Sequence, residues 1–334
     1  MKDILEQRPK FPSVFAISVS DICNLNCTIC GTFGNGNTPP DRHKPLMPFK
    51  DWRRIIDSLE SRDTTIALTS WGEIFLNQNV IDMIDYTIHK GVKFTGVNTN
   101  GTLFTEELQH RLINIKVLNK FFVEFSIDGL KKSCEKQRKG INYDKVVAYI
   151  DHFIDLKKSK QHDIGIWIRM VIGDHSEEEI QAFIRFWGNK GVDAIHVQTN
   201  TYQDNGICKF DRKKLLSPDF LNRKISPRYY CKYLDNWFCL KSDLKGYSVC
   251  CRDWFYSGKH DFSQRLDFYD AWNSDTYHER IKHQYDNVES SMCFNCEYKY
   301  IFEPEVHISE RAIGSYLYAV HERFFSKAFF RLKR

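Results

Sequence analysis

Two stretches of the chain, HKGVKFTGVNTN (89–100) and NKGVDAIHVQTN (189–200), look alike, sharing Lys-Gly-Val near the start and Thr-Asn at the end. Each reads as the last turn of a helix, a Lys-Gly stop and an apolar strand running into Thr-Asn, the trace that one repeated helix-to-strand unit leaves. The rest of the chain keeps the same rhythm. Apolar, β-rich runs near 14–20, 65–70, 92–98, 121–127, 164–172 and 192–198 alternate with amphipathic runs near 48–60, 78–90, 105–114, 143–157 and 176–190. The sharpest helix is 176–190, where Ser176 and Glu179 form a capping box, Ile180, Phe183, Ile184 and Trp187 share a face, and Gly191 ends the helix. Strands alternating with helices predict an α/β fold with a parallel sheet, and six such units predict a partial (β/α)6, TIM-like barrel. The C-terminal strand ends of such a barrel share one face, where active sites gather.

At 334 residues and 42% apolar, the chain can bury a full core, with room for one large domain and a smaller one. The boundaries read as an N-terminal arm over 1–13, the barrel over 14–215, a cysteine-bearing domain over 216–300 and a C-terminal amphipathic helix over 301–334. A net charge of +5, weak and dispersed, argues against nucleic acid as a partner. No apolar run approaches the roughly 20 residues that span a bilayer, and MKDILEQRPK lacks the apolar core of a secretory signal. The 11 cysteines are therefore expected in the reducing cytoplasm, as metal ligands or free thiols. The last helix carries Ile313, Leu317, Val320 and Phe324 at helical spacing and ends in Arg323, Lys327, Arg331, Lys333 and Arg334. It fits packing on the barrel, a partner, or contact with a membrane surface.

Directly after the first strand, CNLNCTIC sets Cys23, Cys27 and Cys30 at C-x3-C-x2-C spacing. Three thiolates cannot fill the four corners of a structural metal site, and thiolates suit Fe–S clusters and zinc alike. The residues alone leave an open iron–sulfur cluster and half of a zinc knuckle as alternatives. The triplet resembles the signature of the radical S-adenosylmethionine (radical SAM) enzymes. That resemblance implies a [4Fe–4S] cluster whose free iron is chelated by the methionyl amino and carboxylate groups of S-adenosylmethionine.

Further motifs fall where that family would place them. After strand two, Trp71, Gly72 and Glu73 resemble the family's GGEP element, which receives the methionyl ammonium, with Ile74 in place of the usual Pro. Strand three ends in NTNGT with Asn100, and strand four in FSIDG with Ser126 and Asp128; both resemble segments that line the cofactor's ribose and methionyl parts. Asn-Gly and Asp-Gly are also ordinary turn dipeptides. Arg169, inside strand five, is costly to bury alone, so it either pairs with a carboxylate or receives an anionic group of the cofactor or substrate. Arg138 matches a basic position seen in the family, though a solvated loop charge explains it equally. Cys134, in the charged segment KKSCEKQRKG, is expected to be exposed. His196 reads as a satisfied core histidine, and Cys208 as a candidate hydrogen-atom donor near the barrel mouth.

A second cysteine group comprises Cys231, Cys239, Cys250, Cys251, Cys293 and Cys296. It resembles the SPASM/twitch extension of radical SAM enzymes, which implies one auxiliary [4Fe–4S] cluster held by Cys231, Cys250, Cys293 and Cys296. Cys251 is an alternative to Cys250, Cys239 is a spare thiol nearby, and a four-cysteine zinc site is the structural alternative. The family's chemistry would be reductive cleavage of S-adenosylmethionine to a 5′-deoxyadenosyl radical that takes hydrogen from an unactivated C–H. An external one-electron reductant of flavodoxin or ferredoxin type and a small-molecule substrate are the implied partners. Oxidation of a small polar metabolite such as a sugar or nucleotide-linked sugar is the leading expectation. Peptide modification, redox-neutral epimerisation with a Cys donor, and a zinc-binding module without turnover are the alternatives.

Overall fold

The computed structural model describes residues 8–30, 33–34, 46–59, 63–69, 72–115, 121–172, 175–199, 203–204, 207–208, 233–248, 250, 258–286 and 288. Strands β1 (Val14–Ser18), β2 (Thr65–Thr69), β3 (Lys93–Thr99), β4 (Phe122–Ser126), β5 (Gly165–Ile172) and β6 (Ala194–Thr199) lie side by side in chain order. Every neighbouring pair among them is parallel. The crossovers are α1 (Phe49–Leu59), α2 (Val80–His89), α3 (Glu106–Ile113), α4 (Lys131–Gln137), α5 (Tyr143–Ser159) and α6 (Glu177–Lys190). The repeated unit is real: α2 runs into β3 as α6 runs into β6, and Gly191 closes α6 at φ 84°. Half of the expected capping box forms. Ser176 Oγ accepts the Glu179 N–H at 3.2 Å, whereas the Glu179 carboxylate bonds Ser133 on α4 instead.

Helix α4 escaped the periodicity reading because it is short and highly charged. Its two inward residues are Cys134 and Gln137, so Cys134, expected to be exposed, is fully buried. Burial pushes its thiol up to about 12.

The helices cover one face of the sheet. In α1 the buried residues Trp52, Ile55, Ile56 and Leu59 follow the i, i+3, i+4, i+7 spacing of one helical stripe. The Trp52 indole N–H donates to the Met83 carbonyl and the Thr87 hydroxyl of α2, so the buried donor is satisfied. On β4, Phe125 meets Phe104, which in turn meets Phe153 of α5, with ring centroids 5.0 and 4.9 Å apart. Side chains alternate along a strand, so Glu124 lies on the face away from these helices.

Beyond β6, a two-stranded piece joins β7 (Gln203–Asp204) to β8 (Ile207–Cys208). The short helix α7 (Tyr233–Asn236) leads into β9 (Trp237–Leu240), which pairs in parallel with β1, and β10 (Tyr247–Ser248) pairs antiparallel with β9. Among the described residues the sheet therefore has eight strands in the order β10-β9-β1-β2-β3-β4-β5-β6. No strand was expected at WFCL, because four apolar residues carry no usable period. Helices α8 (Phe268–Trp272) and α9 (Asp275–Tyr285) complete this edge. Its packing is aromatic. Phe15 of β1 stacks on Phe238 at 5.0 Å and meets Phe268 edge-on at 4.8 Å, and Tyr247 stacks on Tyr277 at 5.7 Å. The Arg8 guanidinium lies 3.6 Å over the Trp272 ring and donates to the Trp272 carbonyl at 2.8 Å. Among the described residues, no helix is long and apolar enough to cross a membrane.

Candidate active site at the strand ends

The loop that follows β1 carries Cys23, Cys27 and Cys30, and every neighbouring strand end contributes to holding it. From β2, Gly72 N–H donates to the Ser20 carbonyl at 3.2 Å and Glu73 N–H to the Ile22 carbonyl at 2.8 Å. A Cβ on Gly72 would stand 1.8 Å from the Ile22 oxygen, so no other residue fits this crossing. From β3, Asn100 Nδ2 donates to Asn24 Oδ1 at 2.9 Å, and Asn24 Nδ2 donates to the Thr102 hydroxyl at 2.8 Å. From α4, the carbonyls of Gln137 and Lys139 accept the N–H groups of Thr28 and Asn26. Gly34 closes the loop over its own carbonyls: a Cβ there would lie 2.1 Å from the Cys27 oxygen and 2.6 Å from that of Cys30.

The three thiols meet a surrounding that suits sulfur carrying negative charge. Leu25 N–H points at Cys23 Sγ at 3.5 Å and Phe33 N–H at Cys30 Sγ at 3.3 Å. Arg138 Nη1 lies 4.0 Å from Cys27 Sγ. Burial, with a smaller contribution from the neighbouring Glu73 and thiol groups, pushes Cys23 up to about 11, and burial raises Cys27, with Arg138 opposing the latter shift. Metal binding to such thiols releases protons and supplies the charge that burial withholds. Among the described residues, no three His, Cys, Asp or Glu side chains converge as the donors of a single metal ion would. The donor set, its N–H groups and the glycine-closed loop fit an iron–sulfur cluster ligated by Cys23, Cys27 and Cys30.

Glu73 is committed to the chain itself. Its carboxylate accepts from the Thr99 hydroxyl at 2.7 Å, the Asn100 N–H at 2.7 Å and the Phe75 N–H at 3.2 Å. Burial raises its pKa, and these bonds pull the other way. It thus locks the end of β2 to the end of β3. Asn100 is a turn residue and a loop anchor at once, since its Oδ1 also accepts the Thr102 N–H at 2.9 Å.

Ser126 ends β4, half-buried and in register with Arg169 of β5. Asp128 is fully buried: Oδ1 accepts the Val171 N–H at 2.8 Å and Oδ2 lies 2.8 Å from Arg138 Nε. Arg138, its side chain 11% exposed, is accordingly a largely buried ion-pair partner and not a solvated loop charge. Arg169 takes the carboxylate alternative, with Nη2 2.7 Å from Glu124 Oε2. Glu124, buried on β4, also bonds Asn98 of β3 and Nδ1 of His196 on β6. His196 is buried in the core as expected, 1% exposed, with Nδ1 held by Glu124. Sequence reasoning passed over Glu124, although a carboxylate between Val123 and Phe125 was a visible signal. It also passed over Asp21, whose carboxylate binds Ser18 Oγ at 2.6 Å and the hydroxyl of Ser242 just past β9.

In the second group, Cys239 is buried on β9 opposite Ser248, and Cys250 follows two residues later, half-buried. Cys208 lies in β8. Trp71, Cys231, Cys251, Cys293, Cys296 and the C-terminal helix lie outside the described residues.

The radical SAM superfamily profile matches residues 17–186, just over half of the chain. A GTP 3′,8-cyclase of Hydrogenovibrio crunogenus is 24% identical over 199 residues, covering 59% of this chain and 57% of that protein. The chain thus spans a little over half the length of this curated relative. Streptococcus suis SuiB bound to S-adenosylmethionine aligns with TM-score 0.65 and 17% identity over 92% of this chain and 76% of that one. BtrN in complex with AdoMet and 2-DOIA aligns with TM-score 0.50 and 16% identity over 86% and 93%. These alignments show the same mainly parallel α/β fold. With three spaced thiols on a glycine-closed loop after the first of six parallel strands, this chain belongs to the radical SAM superfamily.

Proposed function

We propose that this radical SAM enzyme oxidises a small polar metabolite, with a sugar or nucleotide-linked sugar as the favoured class. Its cofactors are a [4Fe–4S] cluster and S-adenosylmethionine, and we assign the cluster to Cys23, Cys27 and Cys30. When bound, they supply a 5′-deoxyadenosyl radical that removes hydrogen from a substrate C–H. The chain's own residues hold the cluster loop and shape the substrate chamber. Gly72 fits the methionyl end through its backbone, while Ser126, Asn100 and Arg169 provide polar groups along β3–β5.

The observation that carries the substrate class is the Asn98–Glu124–Arg169–His196 network. Four neighbouring strands place hydrogen-bonding groups on the sheet face away from the helices. A chamber wall of that kind favours a substrate rich in hydroxyl or charged groups over an apolar one. We assign Cys231, Cys250, Cys293 and Cys296 to one auxiliary [4Fe–4S] cluster that accepts the second electron, within a domain spanning 216–300. A peptide substrate is the second reading, favoured by the alignment with SuiB bound to precursor peptide SuiA, which covers 83% of this chain.

The test is anaerobic reconstitution followed by product analysis. Cys27→Ala is expected to abolish 5′-deoxyadenosine, and Cys293→Ala to spare cleavage while stopping product. Product two hydrogens lighter than the substrate marks oxidation. Full product from the Cys293 variant retires the auxiliary-cluster role.

A further inference from the structure

The end of α4 is registered against the cysteine loop with unusual care. Asn26 and Thr28, which flank Cys27, donate their N–H groups to Lys139 and Gln137 at 3.0 and 2.8 Å. Arg138 is thereby fixed opposite Cys27 by a backbone bond on either side. Its Nη1 stands 4.0 Å from Cys27 Sγ and its Nε 2.8 Å from Asp128 Oδ2. Asp128 is immobilised in turn by the Val171 N–H, and the Gln137 side chain donates to the Val171 carbonyl at 2.8 Å.

A buried ion pair contributes little net stability compared with apolar packing, so scaffolding alone explains this arrangement poorly. Its distinctive result is a permanent cation at one sulfur. Arginine does not lose its proton in proteins, and its forked donors can serve a carboxylate and a second acceptor at once. The Asp128 carboxylate holds the guanidinium through Nε and also acts on Cys27, in the opposite sense and more weakly than Arg138, so the cation dominates at that sulfur.

We propose that Arg138, aimed by Asp128, raises the reduction potential of the cluster bound at Cys23, Cys27 and Cys30. The proposal rests on the assignment of the cluster to those three thiols. Reduction adds one negative charge to the cluster, and a cation beside a ligand sulfur stabilises the reduced form. Because Cys27 is buried and Arg138 largely so, solvent screens this interaction weakly.

The test is a mediated redox titration of the full-length, anaerobically reconstituted protein. The first cluster is identified by the change in its EPR signal when S-adenosylmethionine is added. Arg138→Gln and Arg138→Met are expected to shift the reduction equilibrium tenfold or more toward the oxidised form, about 59 mV for a one-electron couple. Arg138→Lys, which keeps the charge, is expected to shift it less. A scaffold role would lower iron content but leave the potential of the assembled clusters unchanged, so a wild-type potential in either assembled neutral variant overturns the proposal. If neither neutral variant assembles a cubane, Arg138→His decides, titrated at pH 6 and pH 8: a potential that falls more between the two than the wild type's does, as the imidazole loses its charge, supports the proposal, and a pH dependence equal to the wild type's overturns it. A wild-type protein without a cubane that responds to S-adenosylmethionine overturns both this proposal and the cluster assignment. A responsive cubane with an Arg138-independent potential overturns the proposal alone.

Discussion

The two edges of β1 are built by different physics. Toward β2, its C-terminal end passes into a mesh of single hydrogen bonds, with Gly72 on Ser20, Glu73 on Ile22 and the Glu73 carboxylate on Thr99 and Asn100. Toward β9, the strand is held by rings, with Phe15 between Phe238 and Phe268 and an aromatic stack continuing through Tyr247 and Tyr277. Directional bonds fix positions to a fraction of an ångström and tolerate no added atom. Ring packing supplies most of its energy through buried area and accepts substitutions of similar volume. The candidate site lies on the first kind of edge and an aromatic part of the core on the second.

Substitutions at the two edges should therefore fail differently. Phe238→Ala is expected to cause the largest loss of stability, about 3–5 kcal/mol for a fully buried aromatic, read by urea unfolding. Phe238→Leu should recover most of it. If leucine fares no better than alanine, the aromatic edge is geometric as well. Gly72→Ala comes next, at about 1–3 kcal/mol for overpacking. Its diagnostic signature is a loss of bound iron far greater than the loss in unfolding free energy, and wild-type iron content in this variant would contradict the steric reading of the Ile22 contact. Ser242→Ala removes the bond to Asp21 that joins the two edges, with an expected cost of about 1.5 kcal/mol for a hydroxyl on a carboxylate. It should lower stability and iron content together.

The last effect is confined to alkaline pH and concerns Cys23. Its native thiol is pushed up to about 11 by burial, from an ordinary value near 9. Between pH 9 and 11 the unfolded chain has lost a proton that the native chain retains, so stability falls as pH rises through that window. Cys23→Ala should remove this component, which is seen by comparing the urea midpoints of the two apo proteins across the range. Identical slopes would mean that the thiol is less buried than the structure places it.

Much of this was legible in the chain itself. The six parallel strands followed from apolar periodicity, and the repeated Lys-Gly-to-Thr-Asn segments gave the helix-to-strand unit its register. The cysteine triplet announced its loop because three ligands at fixed spacing have few other uses. What escaped notice was set by distant partners. WFCL becomes a strand because β1 offers it an edge, and Asp21 acquires its role from Ser242, 221 positions away. Arg138 was ambiguous as a single charge, and it acquires meaning from Asp128 behind it and Cys27 in front. Glu124 was the one avoidable omission. A carboxylate in the middle of an apolar strand requires donors, and Arg169 and His196 were the available candidates in the strands that follow.

The parallel pairing of β9 with β1 has a consequence for biosynthesis. The first strand to leave the ribosome keeps one edge bare until more than two hundred further residues have been made, and an unpaired strand edge is a template for misassembly. The Ser242 contact to Asp21 is missing for the same interval, so the cysteine loop after β1 gains this support only after translation has passed the hairpin. The order of synthesis thus puts the closing of this edge of the sheet late in folding.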